Sequence, residues 1–130
     1  MKERRFTAKD GNVLVIKNRK SAVILEHGSL ESDSDWRFTF SFSEEAFDEV
    51  KRAIQEAAEE SWSGLTRKDA TDLGTDYYEY YDRKYDNNGY LSLEENALEL
   101  ERPTTESNKL YQFNKRRMES FLYDLETVKA

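Results

Sequence analysis

The side chains of this sequence that are best suited to chemistry are basic residues near its start and aromatic residues further along. Residues 1–20 hold seven bases and two acids, a formal charge of +5, although the whole chain carries −7. In single-strand binding, cations contact phosphates while exposed rings stack on bases, with no need for a particular base sequence. We therefore predict a single-stranded nucleic-acid-binding site that contains Arg4, Arg5, Phe6, Lys9, Lys17, Arg19, Lys20, Trp36 and Arg37.

Each half of this interpretation has a plain structural alternative. The bases can be solvated charges on an edge strand, where charge discourages aggregation. The aromatic residues, including the further stacking candidates Tyr77, Tyr78, Tyr80 and Tyr81, can belong to the hydrophobic core. The sequence leaves both alternatives open.

The acidic residues support a second hypothesis of a different class. Outside residues 1–20 the chain carries a formal charge of −12. Small acidic proteins can inhibit a basic partner by imitating phosphates with carboxylates, as immunity proteins and nucleic-acid mimics do. The acids that would serve are Asp48, Glu49, Glu56, Glu59 and Glu60, and the segment Glu94–Glu101. The predicted partner is therefore single-stranded DNA or RNA, or alternatively a basic protein, and a homodimer is left open.

Catalytic and metal-binding patterns find little support in the sequence. It contains no cysteine, which excludes thiol catalysis, disulfides and thiolate metal sites. His27 is the only histidine, so a histidine-based triad or a multi-histidine metal site lacks partners, and we interpret it as a strand-end residue. We predict neither enzymatic activity nor a cofactor or metal.

One segment partly matches a calcium-binding EF-hand loop. Lys84 occupies its first place, where the loop needs a carboxylate. Leucines also alternate through this segment as they do in a strand. We therefore predict a β-hairpin with an Asn-Gly turn over 86–89 and no tight calcium site. The matching positions are the third, fifth, sixth, ninth and twelfth, held by Asp86, Asn88, Gly89, Ser92 and Glu95.

Two periodicities predict the elements that must position these residues. Phe38, Phe40 and Phe42 alternate with polar neighbours, the pattern of a half-buried strand. Ser43 is a suitable N-cap, and apolar residues at three- and four-residue spacing then predict a helix over 44–61. Earlier strands are predicted over 4–8, 13–17 and 21–27, with an Asp-Gly turn between the first two.

The second half of the chain repeats this order. Strands are predicted over 77–85, 90–94, 97–101 and 110–113, and Asn114 stands at the N-cap position of a helix over 115–128. We predict a single α+β domain over 1–130 with tandem ββββα repeats at 4–61 and 77–130, a linker at 62–76, and antiparallel sheets each closed by one helix. At an offset of 71 the pairs Phe40/Tyr111, Phe42/Phe113, Ser43/Asn114, Phe47/Met118, Val50/Phe121 and Ile54/Leu125 coincide.

This tandem order resembles the Whirly and Pur-alpha type of single-stranded nucleic-acid-binding fold, in which two four-stranded sheets and their helices form one module. Pur-alpha repeats carry Lys, Asn and Arg around the turn between their second and third strands, where they contact nucleic acid. Lys17, Asn18, Arg19 and Lys20 stand at the corresponding turn here, so the resemblance adds Asn18 to the predicted site. The second repeat departs from the pattern with Glu94-Glu95-Asn96.

The location of the protein is predicted from what the sequence lacks. The stretch MKERRFTAKDG has no apolar segment of the kind a signal peptide needs, and no apolar run reaches transmembrane length. An aromatic content of 13% favours a folded chain over a disordered one. We predict a cytoplasmic protein that does not associate with membranes.

Overall fold

The computed structural model describes residues 2–28, 36–69, 76–106 and 109–127. These residues form an α+β fold with antiparallel strands and two helices, in the tandem ββββα order. The elements are β1 (Lys2–Thr7), β2 (Val13–Arg19), β3 (Ala22–His27), β4 (Arg37–Ser41), α1 (Glu44–Ser61), β5 (Glu79–Asp82), β6 (Asn87–Glu94), β7 (Ala97–Glu101), β8 (Lys109–Phe113) and α2 (Lys115–Thr127).

The two four-stranded sheets exchange their last strands between the repeats. One sheet has the order β1-β2-β3-β8 and the other β4-β7-β6-β5, so the fourth strand of each half pairs with the third strand of the other half. All neighbouring strands are antiparallel. The sequence pattern did not indicate this exchange, because a period of two reports which side of a strand is buried and not which strand lies beside it.

Both helices begin where the sequence predicts. The Ser43 Oγ accepts a hydrogen bond from the Ala46 N–H at 3.1 Å, and the Asn114 Oδ1 accepts one from the Arg117 N–H at 2.8 Å, so a side chain caps each N-terminus. Helix α1 packs on β2 and β3. Helix α2 lies beside α1, where Gln55 Nε2 donates to Glu126 Oε1 at 3.2 Å.

One hydrophobic core receives side chains from both sheets and both helices. Residues that coincide between the repeats are buried in this core. The first repeat contributes Phe40, Phe47 and Ile54, and the second contributes Tyr111 and Leu125. The core therefore spans the two repeats.

Two corresponding turns share an unusual backbone. Ser21 ends the β2–β3 turn with φ 65°, and Asn96 ends the β6–β7 turn with φ 54°. The Ser21 N–H donates to the Ser61 carbonyl at 3.1 Å, which ties its turn to the end of α1. The Asn96 carbonyl accepts from the Phe42 N–H at 2.9 Å. The two repeats therefore match in turn geometry as well as in element order.

The β5–β6 hairpin is present, but its predicted turn was wrong. The turn comprises residues 83–86, where Asp86 takes the left-handed conformation with φ 50°, and β5 is shorter than the predicted strand over 77–85. Gly89 lies within β6, where a Cβ would approach Tyr80 Cε1 to 2.3 Å. Glycine is required here because a side chain would have no space beneath the Tyr80 ring. A turn conformation is not the reason.

The predicted linker is only partly described. Residues 70–75 lie outside the described residues, as do residues 29–35, residues 107–108 and the end of the predicted second helix at Val128. Trp62 and Leu65 pack partly buried against the core, and the Thr66 N–H donates to Glu119 Oε2 at 2.9 Å. The first part of the linker is therefore docked on α2.

Candidate nucleic-acid interface

Two predicted bases of the β1–β2 hairpin lie in a network of ion pairs. Arg5 Nε is 2.6 Å from Glu3 Oε2, and Lys17 Nζ is 3.0 Å from Glu26 Oε1 and 3.9 Å from Glu3 Oε1. These charges share the face of the sheet that carries Val15, which is 2% exposed. Two bases and two acids balance one another, so this face presents little net positive charge.

Two other bases of β1 bind the end of helix α1. Lys2 Nζ and Arg4 Nη2 lie 3.0 and 3.2 Å from Glu60 Oε2. Asn18, which is buried, accepts from Arg4 Nη1 at 3.1 Å and donates to Glu60 Oε1 at 3.4 Å. The hydrogen bond from Lys2 lowers the pKa of Glu60. Arg4 and Asn18 therefore hold β1 to α1.

The remaining predicted residues of the first sheet lie in three separate places. Arg19 and Lys20 are exposed on the β2–β3 turn, Lys9 is exposed on the β1–β2 turn, and Phe6 packs half-buried against the core. Within the described residues, Arg19, Lys20 and Lys9 have no acidic partner within 4.0 Å.

Trp36 and Arg37 lie on the other sheet, at its β4 edge. Trp36 is 52% exposed, and its carbonyl accepts from the Arg102 N–H at 2.8 Å. Arg37 pairs with Glu101 at 3.3 Å and with Glu99 at 3.8 Å. The structure therefore does not assemble the predicted residues into one surface.

A cleft of about 380 Å³ between the edge strands β5 and β8 does bring bases and an exposed aromatic ring together. Tyr81, at 53% exposure, lies on its β5 side, and Ser21, the residue after Arg19 and Lys20, lines it from the β2–β3 turn. We call this the seam cleft. Its charged residues are the bases Arg83, Lys84, Lys109 and Arg117 and one acid, Asp82.

Asp82 organises the basic side of the seam cleft. This aspartate is 5% exposed, and its Oδ2 lies 3.1 Å from Lys109 Nζ. Its Oδ1 accepts from the Lys84 N–H at 3.0 Å, which fixes the start of the β5–β6 turn. Lys109 Nζ also donates to Gln112 Oε1 at 3.1 Å. Asp82 thus holds the Lys109 side chain and the Lys84 backbone, and the four bases of the cleft still outnumber this one acid.

Two tyrosines contribute differently to the seam cleft. Tyr80 is 3% exposed, and among the described residues its hydroxyl has no hydrogen-bond partner. Burial raises the pKa of Tyr80, and the Asp82 charge raises it further. Tyr81 donates its hydroxyl to Asp86 Oδ1, which raises the pKa of Tyr81 and holds its ring at the surface. The cleft therefore presents the exposed ring of Tyr81, whereas the Tyr80 hydroxyl is buried beneath its surface.

The sequence signal for the seam cleft was weak. Tyr81 was a stacking candidate, but Arg83, Lys84, Lys109 and Arg117 were not among the predicted residues. Arg83 and Lys84 are adjacent, Lys109 stands alone, and Arg117 ends a run of three bases, all in the second half of the chain, which is acidic as a whole. Only the pairing of β8 with β3 brings them together and beside the β2–β3 turn.

A second groove of about 570 Å³ between β1 and α1 is chemically different. It is lined by Arg4 and Arg52 but also by Glu49, Glu56 and Glu59, so its charge is unsuited to phosphate. Of the acids predicted for partner binding, Glu60 is already paired with β1.

His27 ends β3, as the sequence predicts. Its Nε2 lies 3.0 Å from Asn12 Oδ1, its ring centroid is 4.9 Å from that of Phe38, and burial lowers its pKa.

In the described ranges no group of three or more His, Asp or Glu side chains is arranged to hold a metal ion. Neither helix, over its described residues, combines the length and apolar character that crossing a membrane requires. No family model, curated protein or solved structure matches this chain.

Proposed function

We propose that the protein binds single-stranded nucleic acid through the seam cleft, with Tyr81 as the stacking platform. The observation that carries this proposal is an exposed ring beside Arg83, Lys84 and Arg117, in a chain whose net charge is −7. The fourth base of the cleft, Lys109, is paired with Asp82. Cations beside an exposed ring are the combination that sequence-tolerant binding of single strands requires. The tandem ββββα order, which resembles the Whirly and Pur-alpha folds, supports the same class of ligand.

The proposal keeps part of the predicted site and moves the rest. Arg19 and Lys20 stay in it because their turn reaches the seam cleft at Ser21. Arg5 and Lys17 leave it because acids within 4.0 Å already balance their charges. A bound strand would run from the β2–β3 turn across the cleft towards the β5–β6 turn and the start of α2, with one base on Tyr81.

The test is binding of labelled single-stranded oligonucleotides of several base compositions, followed by fluorescence anisotropy as salt is varied. Replacing Arg83 and Lys84 with Ala should weaken binding at every composition, because phosphate contacts carry no sequence information. Each lost contact should flatten the log–log salt dependence by about 0.7. Tyr81→Ala should cost about 1–3 kcal/mol of binding free energy and leave the salt dependence nearly unchanged.

The matched control replaces Arg5 and Lys17, which removes the same charge from the ion-paired hairpin. This variant should bind as the wild type does. The proposal fails if no oligonucleotide binds at about 50 mM salt, a condition under which a few phosphate contacts should be detectable. An equal loss of oligonucleotide affinity in the Arg83/Lys84 variant and in this control would also reject the seam cleft as the site.

A further inference from the structure

The outward face of the β4-β7-β6-β5 sheet has a composition unlike that of the seam cleft. Arg37, Glu101, Tyr90 and Glu79 follow one another across its four strands. Tyr78, at 53% exposure, stands beside this row with its ring centroid 5.9 Å from that of Tyr90. The surface formed by Arg37, Tyr78, Glu79, Tyr90, Glu94, Glu99 and Glu101 is called the tyrosine–glutamate face.

Charge and ring content both favour a protein partner on this face. Its four glutamates and one arginine give a formal charge of −3. Tyrosine is enriched at protein–protein interfaces because it supplies a large contact area with few rotatable bonds. Nucleic acid would be repelled from the same surface.

The side chain of Arg37 shows how this face binds a cation. Its guanidinium lies 3.3 Å from Glu101 and 3.8 Å from Glu99, yet the side chain remains 63% exposed. Arg37, Glu99 and Glu101 border a small cavity of about 70 Å³ together with Tyr78 and Tyr90. An exposed ion pair of this kind is weak, so a cation from another molecule can compete for the same carboxylates.

We propose that the tyrosine–glutamate face docks a basic segment of a partner protein. An arginine or lysine of that segment replaces Arg37 between Glu99 and Glu101, and its stem packs on the rings of Tyr78 and Tyr90. The inference does not rest on nucleic-acid binding at the seam cleft, because the residues that line the two sites differ. The two surfaces adjoin at β5, where Tyr81 follows Glu79 on the same side of the strand.

The test is titration of the full chain with a labelled nona-arginine peptide at low salt, followed by fluorescence anisotropy. Replacing both Glu99 and Glu101 with Gln should weaken binding roughly five- to tenfold, because two exposed ion pairs are lost. The matched control, Glu56→Gln with Glu59→Gln, removes the same charge from α1 and should leave the affinity unchanged. Circular dichroism confirms that each variant is folded.

A second variant should change the affinity for the peptide in the opposite direction. Arg37→Gln removes the internal competitor and should strengthen peptide binding by roughly two- to fivefold. Weaker binding of Arg37→Gln, or equal weakening in the α1 control, would overturn the proposal. So would a dimer, detected by light scattering, that the Glu99 and Glu101 replacements dissociate, since the face would then bind a second copy. Oligonucleotide binding measured on the same variants reports the seam cleft separately.

Discussion

Asp82 and Lys109 meet across the line where the two sheets come together, with Oδ2 and Nζ 3.1 Å apart. The aspartate ends β5 and is buried, whereas the lysine begins β8 and keeps 29% of its side chain exposed. The pair joins the edge strands of the two sheets and neutralises one of the bases of the seam cleft.

Asp82→Asn should therefore increase the affinity of the seam cleft for oligonucleotides. The amide oxygen still accepts from the Lys84 N–H, but the negative charge that holds Lys109 is gone. Lys109 then adds one phosphate contact, which should steepen the log–log salt dependence by about 0.7. Fluorescence anisotropy over a salt series measures both quantities.

The control for Asp82→Asn is Asp48→Asn, which makes the same charge change on the exposed surface of α1. It should alter the affinity only slightly and the salt dependence not at all. An unchanged slope in Asp82→Asn would show that Lys109 does not contact the strand. Loss of the buried pair should also lower the free energy of unfolding by about 1–3 kcal/mol, which urea denaturation measures.

Removing either of two buried tyrosine hydroxyls should change the stability of the protein, but in opposite directions. Tyr80→Phe deletes a hydroxyl without a partner among the described residues, so stability should stay the same or rise by up to about 1 kcal/mol. Tyr111→Phe deletes a hydroxyl that donates to the Tyr77 carbonyl, so stability should fall by about 1 kcal/mol. Urea denaturation compares the two variants, and an equal loss in both would indicate that the Tyr80 hydroxyl is satisfied.

Gly89→Ala should destabilise the protein by about 1–3 kcal/mol, because the added methyl group overlaps the Tyr80 ring. That ring packs against Tyr111 at 4.6 Å between centroids and has little freedom to move away. Thermal or urea denaturation measures the loss.

A double-mutant cycle separates this steric cause from a backbone cause. In a Tyr80→Leu background the cost of Gly89→Ala should shrink, because the ring is absent. Gly11→Ala serves as the control: its φ of 93° makes the substitution strained whatever the side-chain packing, so its cost should be the same in both backgrounds. Additive costs for Gly89 and Tyr80 would contradict the steric explanation.

The attachment of β1 to α1 should weaken in acid. Hydrogen bonding, chiefly from Lys2, lowers the pKa of Glu60 below its ordinary value of 4.5. A carboxyl group with a lowered folded pKa stabilises the fold at pH values above 4.5 and loses that effect as the pH falls through the folded pKa. Hydrogen exchange of the β1 amides, corrected for intrinsic rates, should therefore accelerate as the pH is lowered from about 5 through the folded pKa of Glu60.

Glu60→Gln should show the faster β1 exchange already at the higher pH, because it lacks the charge at every pH. The neighbouring Glu59→Gln, which alters an exposed acid outside the network of Glu60, should exchange as the wild type does. Identical protection in Glu60→Gln and the wild type would mean that the ion pairs do not hold β1.

Local patterns predict most of the secondary structure of this chain. The bounds of α1 follow from Ser43 and the spacing from Phe47 to Ile54, and the β1–β2 turn follows from Asp10-Gly11. The β5–β6 turn was misplaced because a glycine can be required either by a left-handed backbone or by a close neighbour. Sequence alone does not distinguish these causes, and at Gly89 the neighbour is Tyr80.

The candidate site was harder to predict because it depends on contacts between distant residues. The charge of Lys17 is visible in the sequence, but its balance by Glu26 on the adjacent strand is not. Lys109 and Arg83 gain their joint role only when β8 crosses to the other sheet and lies beside β5. Composition identified the class of side chain, and long-range pairing decided which members of that class lie together.

The exchange of β4 and β8 makes each half of the chain incomplete without the other. A polypeptide ending after α1 would leave one edge of β3 unpaired and would hold a fourth strand with no sheet to join. Two copies of such a half could satisfy both needs by lending each other their fourth strands, which is domain swapping. The architecture is that of a swapped dimer whose two subunits have been joined end to end.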